Sequence, residues 1–392
     1  MIMATDNKYK VLNVPNLRFP EFTEEWRKYK VSDVLDFYST NSLSWEQLDY
    51  NNEDLYNLHY GLIHVGLPIL VDIGQNKLPG IKIECKPKNF ELCKEGDVAF
   101  ADASEDTNDV AKAIEFVNLN NHKTVCGLHT IHGRDNKHLT VLGYKGYAFA
   151  SPLFHNQIRR IAQGTKIYSI SSKNFAECYI GIPSKDEQSK IARLLALIDS
   201  RIATQNKIIE KLESLIKGLC QKLTQQSDSN TTLNECLECY SSTLQENSVS
   251  EVGDFPVYGA TGVCGYTGTP EVNRDSILII KDGASVGATY YASGKYSAIG
   301  TLNSLVAKKG YSLRYLYYCL KVFNFAPYRT GLAIPHIYFK DYAKAQIWCP
   351  QIEEQCRIAS ALEKVEQKIA TEKSLLEQLY SQKRFLLQEI FI

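Results

Sequence analysis

One short stretch of the sequence has the spacing of a hydrolytic centre. Glu84-Cys85-Lys86 matches the Glu-x-Lys pattern of many nucleases, in which carboxylates hold a metal ion and lysine steadies the attacked phosphate. No convincing acidic partner precedes it. The sequence also has no GxxxxGK[ST] loop, no GxGxxG and no Asn-Pro-Pro-Tyr-like run, so it shows no nucleotide or methyl-donor site. We predict no catalytic residue in this chain.

Cysteine and histidine spacings give no metal site either. Cys236 and Cys239 form one CxxC, but zinc needs four ligands and no second pair follows at finger spacing. His129, His132 and His138 are loosely clustered, which is more typical of a surface loop or a DNA-facing loop than of a metal site. The sequence therefore predicts neither a bound metal nor a bound cofactor.

Length and composition are those of a soluble protein with several domains. The 392 residues are enough for two or three domains, and no apolar run approaches membrane-spanning length. The N-terminal segment lacks the apolar core of a signal peptide. Eleven cysteines, an odd number, favour reduced thiols. We expect a cytoplasmic protein without a membrane partner.

Charge is balanced overall but segregated along the chain. The 44 basic and 44 acidic residues cancel, so net charge gives no argument for nucleic acid. Residues 136–176 and 283–340, however, contain no Asp or Glu, while both carry lysines, arginines and many aromatics. Such windows are consistent with basic faces that follow phosphates. Buried strands that avoid acids for packing reasons explain them about equally well.

Two similar segments, "IPSKDEQSKIA" and "CPQIEEQCRIA", introduce a duplicated helix. Pro183 aligns with Pro350, and the alignment continues without a gap to Leu223 and Ile390. Ser184 and Glu187 have the spacing of a capping box that starts the first helix. The chain is therefore interpreted as a tandem of two related halves, each a globular part followed by a long helix.

Both helices carry an apolar stripe with heptad spacing. Two such stripes in one chain favour an antiparallel coiled coil with pseudo-twofold symmetry. Two polar residues at equivalent positions would then meet near its centre and fix the register. The alternative is that each helix packs on its own globular half. The predicted seam comprises Ile191, Leu195, Ile198, Ile202, Gln205, Ile209 and Leu212 in the first helix, and Ile358, Leu362, Val365, Ile369, Glu372, Leu376 and Leu379 in the second.

The segments around the helices predict the domain limits and the fold class. "TQQSDSNTT", residues 224–232, has linker composition. We predict globular domains at 1–182 and 227–349, with helices at 183–226 and 350–392. Short apolar runs and frequent glycines favour an α+β class with two mixed, strand-rich domains. Strands are expected in "EGDVAF" (95–100) and "RDSILII" (274–280), and a helix in "YSLRYLYYCLKVF" (311–323).

These features together resemble a known family. The opening "NVPNLRFPEFTEEWRKYKVSDV", the P…EQ..IA helix starts at Pro183 and Pro350, and two divergent regions before two alike helices resemble the specificity subunit of type I restriction-modification systems. The resemblance spans the whole chain. Its motifs are short, but their order and duplication are specific.

The resemblance implies a non-catalytic subunit that binds double-stranded DNA. Each variable region would be a target-recognition domain that reads one half of a split site, and the paired helices would set the distance between the halves. Two modification (methyltransferase) subunits would dock on this frame and restriction subunits would join them. S-adenosylmethionine, ATP and Mg would then be bound by those partner subunits and not by this chain.

The acid-free windows are where we expect DNA contacts. Arginine is the best reader of guanine, and lysine and histidine reach phosphates or base edges. Arg329 lies in "RTGLAIPHI", whose first-half equivalent begins with Ala162, so its contact is expected in one half only. The predicted DNA-binding residues are Arg159, Arg160, Lys166, Lys281, Arg329, His336 and Lys340.

Two rival interpretations remain from the sequence. One is a coiled-coil scaffold that recruits protein partners without a DNA role, and the other is a silent specificity cassette. An enzyme would require a nuclease centre around Glu84 and Lys86. The sequence does not identify the bases that are read.

Overall fold

The protein is a mixed helix-and-strand chain that divides into two compact units. The computed structural model describes residues 13–331 and 333–392, so residues 1–12, to which the prediction of no signal peptide applies, lie outside the described residues. Unit 1 comprises Met1–Thr204 and Leu376–Ile392, and unit 2 comprises Gln205–Leu375. The predicted boundaries at 182, 226 and 349 follow the helices and not these units, and they stay a prediction.

Unit 1 contains thirteen strands among its described residues. They are Arg27–Lys30 (β1), Asp36–Tyr38 (β2), Leu48–Asp49 (β3), Tyr56–Leu58 (β4), Leu70–Asp72 (β5), Gly80–Ile81 (β6), Val98–Ala101 (β7), Ala103–Ser104 (β8), Ala113–Asn118 (β9), Thr124–Cys126 (β10), Thr130–Arg134 (β11), Tyr168–Ser169 (β12) and Tyr179–Ile182 (β13). The helices are Val31–Val34 (α1), Tyr60–His64 (α2), Tyr144–Phe149 (α3), Pro152–Ile161 (α4), Ser172–Ala176 (α5) and the first part of the long helix Lys185–Thr224 (α6), which continues into unit 2, with 3-10 turns at Trp45–Gln47 and Ile83–Cys85.

Unit 2 holds nine strands in the part of the chain that the structure describes. They are Thr231–Thr232 (β14), Leu237–Ser241 (β15), Phe255–Gly259 (β16), Gly262–Thr267 (β17), Ser276–Ile280 (β18), Thr289–Ala292 (β19), Ser297–Ala298 (β20), Leu302–Ala307 (β21) and Gln346–Ile347 (β22). Its helices are Leu233–Cys236 (α7), Leu313–Lys321 (α8), Phe339–Tyr342 (α9) and the first part of the long helix Ile352–Glu389 (α10), which continues into unit 1, with 3-10 turns at Glu246–Ser248 and Ala326–Tyr328.

Each unit contains its own four-stranded antiparallel sheet, and the strand order is equivalent in the two sheets. In unit 1 the order is β2-β11-β7-β9, extended by β5, and in unit 2 it is β15-β21-β18-β19. The central strands β7 and β18 are buried along their whole length, which suits the apolar runs VAFA and SILII. The predicted strands at 95–100 and 274–280 and the predicted helix at 311–323 are confirmed.

A short pair of strands precedes each long helix. β13 pairs antiparallel with β1, and α6 begins directly after it at Lys185. β22 pairs in the same way with β14, and α10 follows at Ile352. The predicted linker is therefore shorter than its composition indicated, because Thr231–Thr232 belongs to a strand and Asn230 hydrogen-bonds to Cys349.

The start of α6 differs in one respect from the capping box predicted for it. Ser184 Oγ accepts a hydrogen bond from the backbone N–H of Glu187, as expected. The Glu187 carboxylate, however, does not return to Ser184. It accepts two hydrogen bonds from Arg18, at 2.7 and 2.8 Å, and is 1% exposed. A charge-assisted bidentate pair is stronger than the second half of a capping box, so the carboxylate joins the N-terminal segment to the helix.

Within each unit, one part of α6 shares an apolar cluster with one part of α10. In unit 1 the cluster joins Ile191, Leu195, Ile198 and Ile202 to Leu379, Leu386 and Ile390. In unit 2 it joins Ile216 and Cys220 to Ile358, Leu362 and Ile369. The N-terminal part of one helix thus contacts the C-terminal part of the other, which is the order of an antiparallel pair.

Two polar seam residues meet in unit 2. Gln205 Nε2 donates to the backbone oxygen of Glu372 at 3.0 Å and to its carboxylate, and both residues are buried. Lys373 and Glu213 form an ion pair at 2.6 Å nearby. The other predicted seam residues are buried as well, apart from Leu212, Val365 and Leu376, which are half-buried.

A buried carboxylate organises the first turn of α3. The Glu115 oxygens accept hydrogen bonds from the backbone N–H groups of Gly143 and Gly146, at 2.9 and 2.8 Å, and lie 3.1 Å from Lys145 Nζ. Both charged side chains are almost wholly buried. Burial raises the pKa of Glu115, although Lys145 and the two N–H groups favour its charged form.

Glu115→Ala should strongly destabilise unit 1. The change leaves the Lys145 ammonium buried without a counter-charge and removes the acceptor of two backbone N–H groups, which costs about 3–5 kcal/mol in free energy of unfolding. Hydrogen exchange of the α3 peptides during urea unfolding of the full chain measures this. The matched control is Glu105→Ala, an exposed carboxylate in the same unit. An equal decrease in the free energy of unfolding for Glu115→Ala and Glu105→Ala would contradict the stabilising role of the Glu115 carboxylate.

Candidate nucleic-acid interface

A tight turn in unit 2 brings together three of the predicted DNA-binding residues. Thr330 and His336 exchange backbone hydrogen bonds across the turn, at 2.9 and 2.8 Å. The turn is attached to the end of β18, since Ile337 N–H donates to the Lys281 carbonyl and Gly283 N–H donates to the Pro335 carbonyl. Lys281, Arg329 and His336 therefore lie around one junction between a strand end and a turn.

The side chains at this junction form few hydrogen bonds within the protein, so donors remain for an external partner. His336 Nδ1 lies 2.7 Å from the Asp282 carboxylate, and both residues are about one-third exposed. Arg329 is exposed and donates one hydrogen bond, from Nη2 to the Val286 carbonyl at 3.0 Å. A guanidinium has five N–H donors, so most of them remain available for an acceptor such as a base edge or a phosphate. Lys281 forms no side-chain ion pair with the described residues.

Lys340 lies just beyond this turn, in the short helix α9. Its ammonium is 5.5 Å from the centre of the Tyr338 ring, and both side chains are exposed. A cation held over an aromatic face is positioned without being neutralised. Lys340 thus adds an uncompensated positive charge beside the Arg329 turn.

Unit 1 contains the same turn at the equivalent place. Gln163 and Ser169 exchange backbone hydrogen bonds at 2.9 and 2.8 Å, and Ile170 N–H donates to the Asp102 carbonyl. Asp102 therefore occupies the position that Lys281 has in unit 2, at the end of the matching strand β7. Its carboxylate faces His129 Nδ1 at 3.1 Å. The two turns share a backbone arrangement but differ in the sign of the charge at the strand end.

The predicted first-half residues lie on and after α4. Arg159 and Arg160 are in its last turn and are exposed, and Lys166 is exposed in the following turn. Arg159 is hydrogen-bonded to the side-chain oxygens of Asn108, at 2.9 Å, and Asn156. Arg160 and Lys166 have no side-chain partner among the residues that the structure describes. Two free cations therefore flank the unit 1 turn.

A glycine at the same position of both turns has a backbone that other residues rarely adopt. Gly164 has φ of 140° and Gly331 has φ of 86°. A Cβ at Gly164 would lie 1.9 Å from the Ile167 carbonyl oxygen, and one at Gly331 would lie 2.3 Å from that of Ile334. Only glycine fits so close to a backbone oxygen. Ile167 and Ile334 are 63% and 57% exposed, so both turns present an apolar tip.

The acid-free windows proved to be less uniformly basic on the surface than their composition suggested. Lys145 is buried against Glu115. Arg314 pairs with Glu363 at 3.0 Å, and Lys321 pairs with Glu366 at 2.5 Å. The missing acids are thus supplied by other segments of the same unit, including α10. The absence of acids from the two windows therefore reflects both packing, since some cations pair with acids from other segments, and a basic surface around the turns.

Acidification should destabilise unit 2 through Glu366. Burial by itself would raise the pKa of Glu366, but hydrogen bonds from Lys321, Tyr317 and Tyr318 outweigh it and hold the pKa below its ordinary value of 4.5. Stability from this group is therefore present above about pH 4.5 and is lost as the pH falls through the lower value of the folded state.

The measurement compares the full chain with Glu366→Gln by urea unfolding at several pH values. The wild-type advantage, followed by hydrogen exchange of α8 peptides, should be greatest at neutral pH and should shrink below about pH 4.5. The control is Glu353→Gln, because Glu353 is exposed in the first turn of α10, the helix that also carries Glu366. A wild-type advantage independent of pH would contradict the assignment.

The other motifs of chemical interest lie apart from these turns in the sequence. Lys86 pairs with Asp54 at 2.7 Å, and Glu84 is exposed in a 3-10 turn. Cys236 contacts Cys349, not Cys239, with 4.0 Å between the sulfurs.

The prediction of a loop was wrong for His132, which is buried in β11. Among the described residues, one group with metal-binding geometry is found, Cys93, Cys126 and His132. Its members come from separate segments, so no local spacing pointed to it.

Comparison with known proteins places the chain in a family. The family model described as "Type I restriction modification DNA specificity domain" matches residues 23–214 and again residues 236–381. These two matches cover most of the chain. The protein belongs to the type I restriction-modification DNA specificity family. The two matched segments of this specificity protein contain the two equivalent turns.

Solved structures have the same fold as this specificity protein. One is a type I restriction-modification S subunit from M. genitalium, with a TM-score of 0.61 and 20% identity over 97% of this chain and 99% of that chain. Another comes from work on assembly and conformational transition of a type I R-M system, with a TM-score of 0.58 and 16% identity over 92% of this chain and 96% of that one. A search of curated proteins found no significant match. None of the described helices is both long and apolar enough to cross a membrane.

Proposed function

We propose that this chain is the DNA-recognition subunit of a type I restriction-modification complex and that it reads a site in two parts. The observation that carries this proposal is the duplication of one arrangement, a strand end joined to a glycine turn with exposed cations, in two segments that each match the DNA specificity domain. One turn has the exposed Arg160 and Lys166 nearby, and the other has the exposed Arg329 and the half-buried Lys281.

The difference between the two turns supports separate half-sites. Asp102 and Lys281 are at matching strand ends, and Ala162 is aligned with Arg329. A carboxylate accepts hydrogen bonds, as from cytosine N4, whereas arginine and lysine donate them, as to guanine O6 and N7. The two domains should therefore prefer different bases, and the complete site should be asymmetric.

The long helices are proposed to pair as an antiparallel coiled coil that sets the spacing of the half-sites. Support comes from the order of apolar contacts between α6 and α10 within each unit and from the Gln205–Glu372 layer. A single buried polar layer fixes helix register. The length of the helices would then set the number of base pairs between the half-sites, as half-site spacing does in other two-part readers.

The complex is proposed to include two modification subunits and the restriction subunits. Ile208 and Leu375 support two like docking places, because they are equivalent positions of the two helices and are 38% and 39% exposed. Exposed apolar residues at matched positions suit two copies of one partner. S-adenosylmethionine, ATP and Mg would be bound by those partners, in the cytoplasm, and this chain would contribute no catalytic group.

Salt-dependent DNA binding tests the proposal. The chain, purified with its modification subunit, should bind duplex DNA with an affinity that falls steeply as salt rises, because lysines and arginines displace counterions from phosphates. A specific duplex should outcompete a scrambled duplex at physiological salt. A stable complex without measurable DNA binding would instead support the scaffold function.

A further inference from the structure

We propose that Cys93, Cys126 and His132 bind a zinc ion inside unit 1, as a site separate from DNA recognition. The three side chains are buried, and one potential ligand atom from each lies within 4.8 Å of the others. Thiolate sulfur and imidazole nitrogen are the ligands that zinc prefers in proteins. The inference does not depend on the proposed function.

The sulfur geometry agrees with tetrahedral zinc. Cys93 Sγ and Cys126 Sγ are 3.6 Å apart. Zinc–sulfur bonds of about 2.3 Å at tetrahedral angles place two sulfurs roughly 3.8 Å apart. A disulfide would need about 2.05 Å between the sulfurs, so the observed separation matches two ligands of one ion better than a covalent bond.

His132 supplies the second, independent observation. Its Nε2 lies 2.7 Å from the Asp97 carboxylate, which can only accept, so Nε2 carries a proton. The other nitrogen, Nδ1, is buried and has no hydrogen-bond partner among the described residues. His132 is 0% exposed, so bulk solvent does not reach this nitrogen. A buried polar nitrogen without a partner is costly unless it binds something.

The surroundings of His132 are those of a metal-bound histidine. Metal-binding histidines usually donate their second ring N–H to a carboxylate, which fixes the tautomer and the ring orientation. Asp97 does this here and is itself held by Arg134 through two hydrogen bonds of 2.8 Å. The guanidinium offsets the Asp97 charge, and two thiolates would offset the charge of Zn²⁺. The fully buried charges would therefore balance, while the Glu91 carboxylate that also binds Arg134 is about one-third exposed.

The ion would join three segments that hydrogen bonds connect only in part. Cys93 precedes β7, Cys126 ends β10 and His132 is in β11. β11 pairs with β7, but β10 belongs to a separate sheet, in which it pairs parallel with β4. A zinc ion would therefore tie these two sheets together, and a water molecule carried in with the ion would be its fourth ligand. Closing onto the ion requires side-chain movements of about 1 Å, as judged from zinc–ligand distances.

Metal content of the full chain tests the site. The protein is reconstituted with one equivalent of Zn²⁺ under reducing conditions, dialysed, and assayed by elemental analysis. We expect about one zinc per chain, and a large loss in Cys93→Ser and Cys126→Ser. The matched control is Cys236→Ser, because Cys236 and Cys349 are a second close pair of buried thiols and belong to no metal-binding group among the described residues.

Cobalt substitution keeps the test decisive if a serine variant fails to fold. Co²⁺ added to the wild-type chain should give the thiolate charge-transfer and tetrahedral ligand-field bands of a cobalt–sulfur site, and Zn²⁺ should displace it. Zinc binding should also raise the melting temperature of the full chain. Three results would overturn the proposal. They are equal zinc content in the wild type and in the Cys93→Ser and Cys126→Ser variants, a wild type that retains no metal, and a Cys93–Cys126 disulfide in the reduced preparation.

Discussion

Ile369→Asp will disrupt unit 2 and prevent assembly with the modification subunit. Ile369 is 8% exposed and belongs to the apolar cluster that joins α6 to α10 in unit 2. Loss of a buried isoleucine costs about 2–5 kcal/mol, and burial of a carboxylate without a partner adds to this. Urea unfolding of the full chain should show a decrease of about 3 kcal/mol or more in the free energy of unfolding of unit 2.

Gln367→Asp is the matched control, since Gln367 is exposed on the same helix two residues away. It introduces the same side chain at a comparable helix position, so its effect should stay within about 0.5 kcal/mol and leave assembly intact. Co-purification with the modification subunit gives the second readout. If both variants assemble equally well, α10 does not depend on its apolar stripe, and the coiled-coil proposal fails.

Lys281→Ala combined with Arg329→Ala will weaken recognition of one half-site and leave the other unchanged. Each contact to a base is worth about 1–3 kcal/mol, so the double variant should lose at least about tenfold in affinity for the specific duplex. Both residues belong to the unit 2 turn. Discrimination should therefore be relaxed only at base pairs of the half-site that unit 2 reads.

Lys309→Ala with Lys344→Ala is the control for charge alone. Both lysines are exposed in unit 2, and their removal takes away the same two positive charges. Arg329→Lys separates the loss of the guanidinium from loosening of the turn, because lysine keeps a charge but not the planar set of donors. Equal affinity and an unchanged base preference in the Lys281/Arg329 variant would exclude this turn as a DNA contact.

Features with a local period could be predicted from the sequence. The stripe from Ile191 to Leu212 repeats every seven residues, and a helix buries such a stripe whatever lies elsewhere in the chain. β18 was predictable for a similar reason, since a short run of apolar residues bounded by polar ones suits a buried strand. The first-half equivalent of "RTGLAIPHI" was located through the repeat, which aligned Ala162 with Arg329.

Contacts between distant segments could not be predicted. Glu187 has the spacing of a capping residue, yet Arg18 binds its carboxylate from far away in the sequence. The Cys93, Cys126 and His132 group forms because β11 pairs with β7 and because Cys93 N–H donates to the Thr124 carbonyl of β10. In the sequence, Lys321 has the pattern of a surface cation, but in the structure it forms an ion pair with Glu366 of α10. Each case depends on tertiary packing, which one sequence without aligned relatives does not specify.

Mapping of methylated bases tests the central claim most directly. The chain is co-expressed with its modification subunit in a host without other DNA methylation, and methylated adenines are located across the genome. A two-part motif with an unspecific gap of fixed length should appear, and the Lys281/Arg329 variant should alter one part of it alone. Absence of sequence-specific methylation in a complex that assembles and retains its methyl donor would contradict the proposed role in DNA recognition.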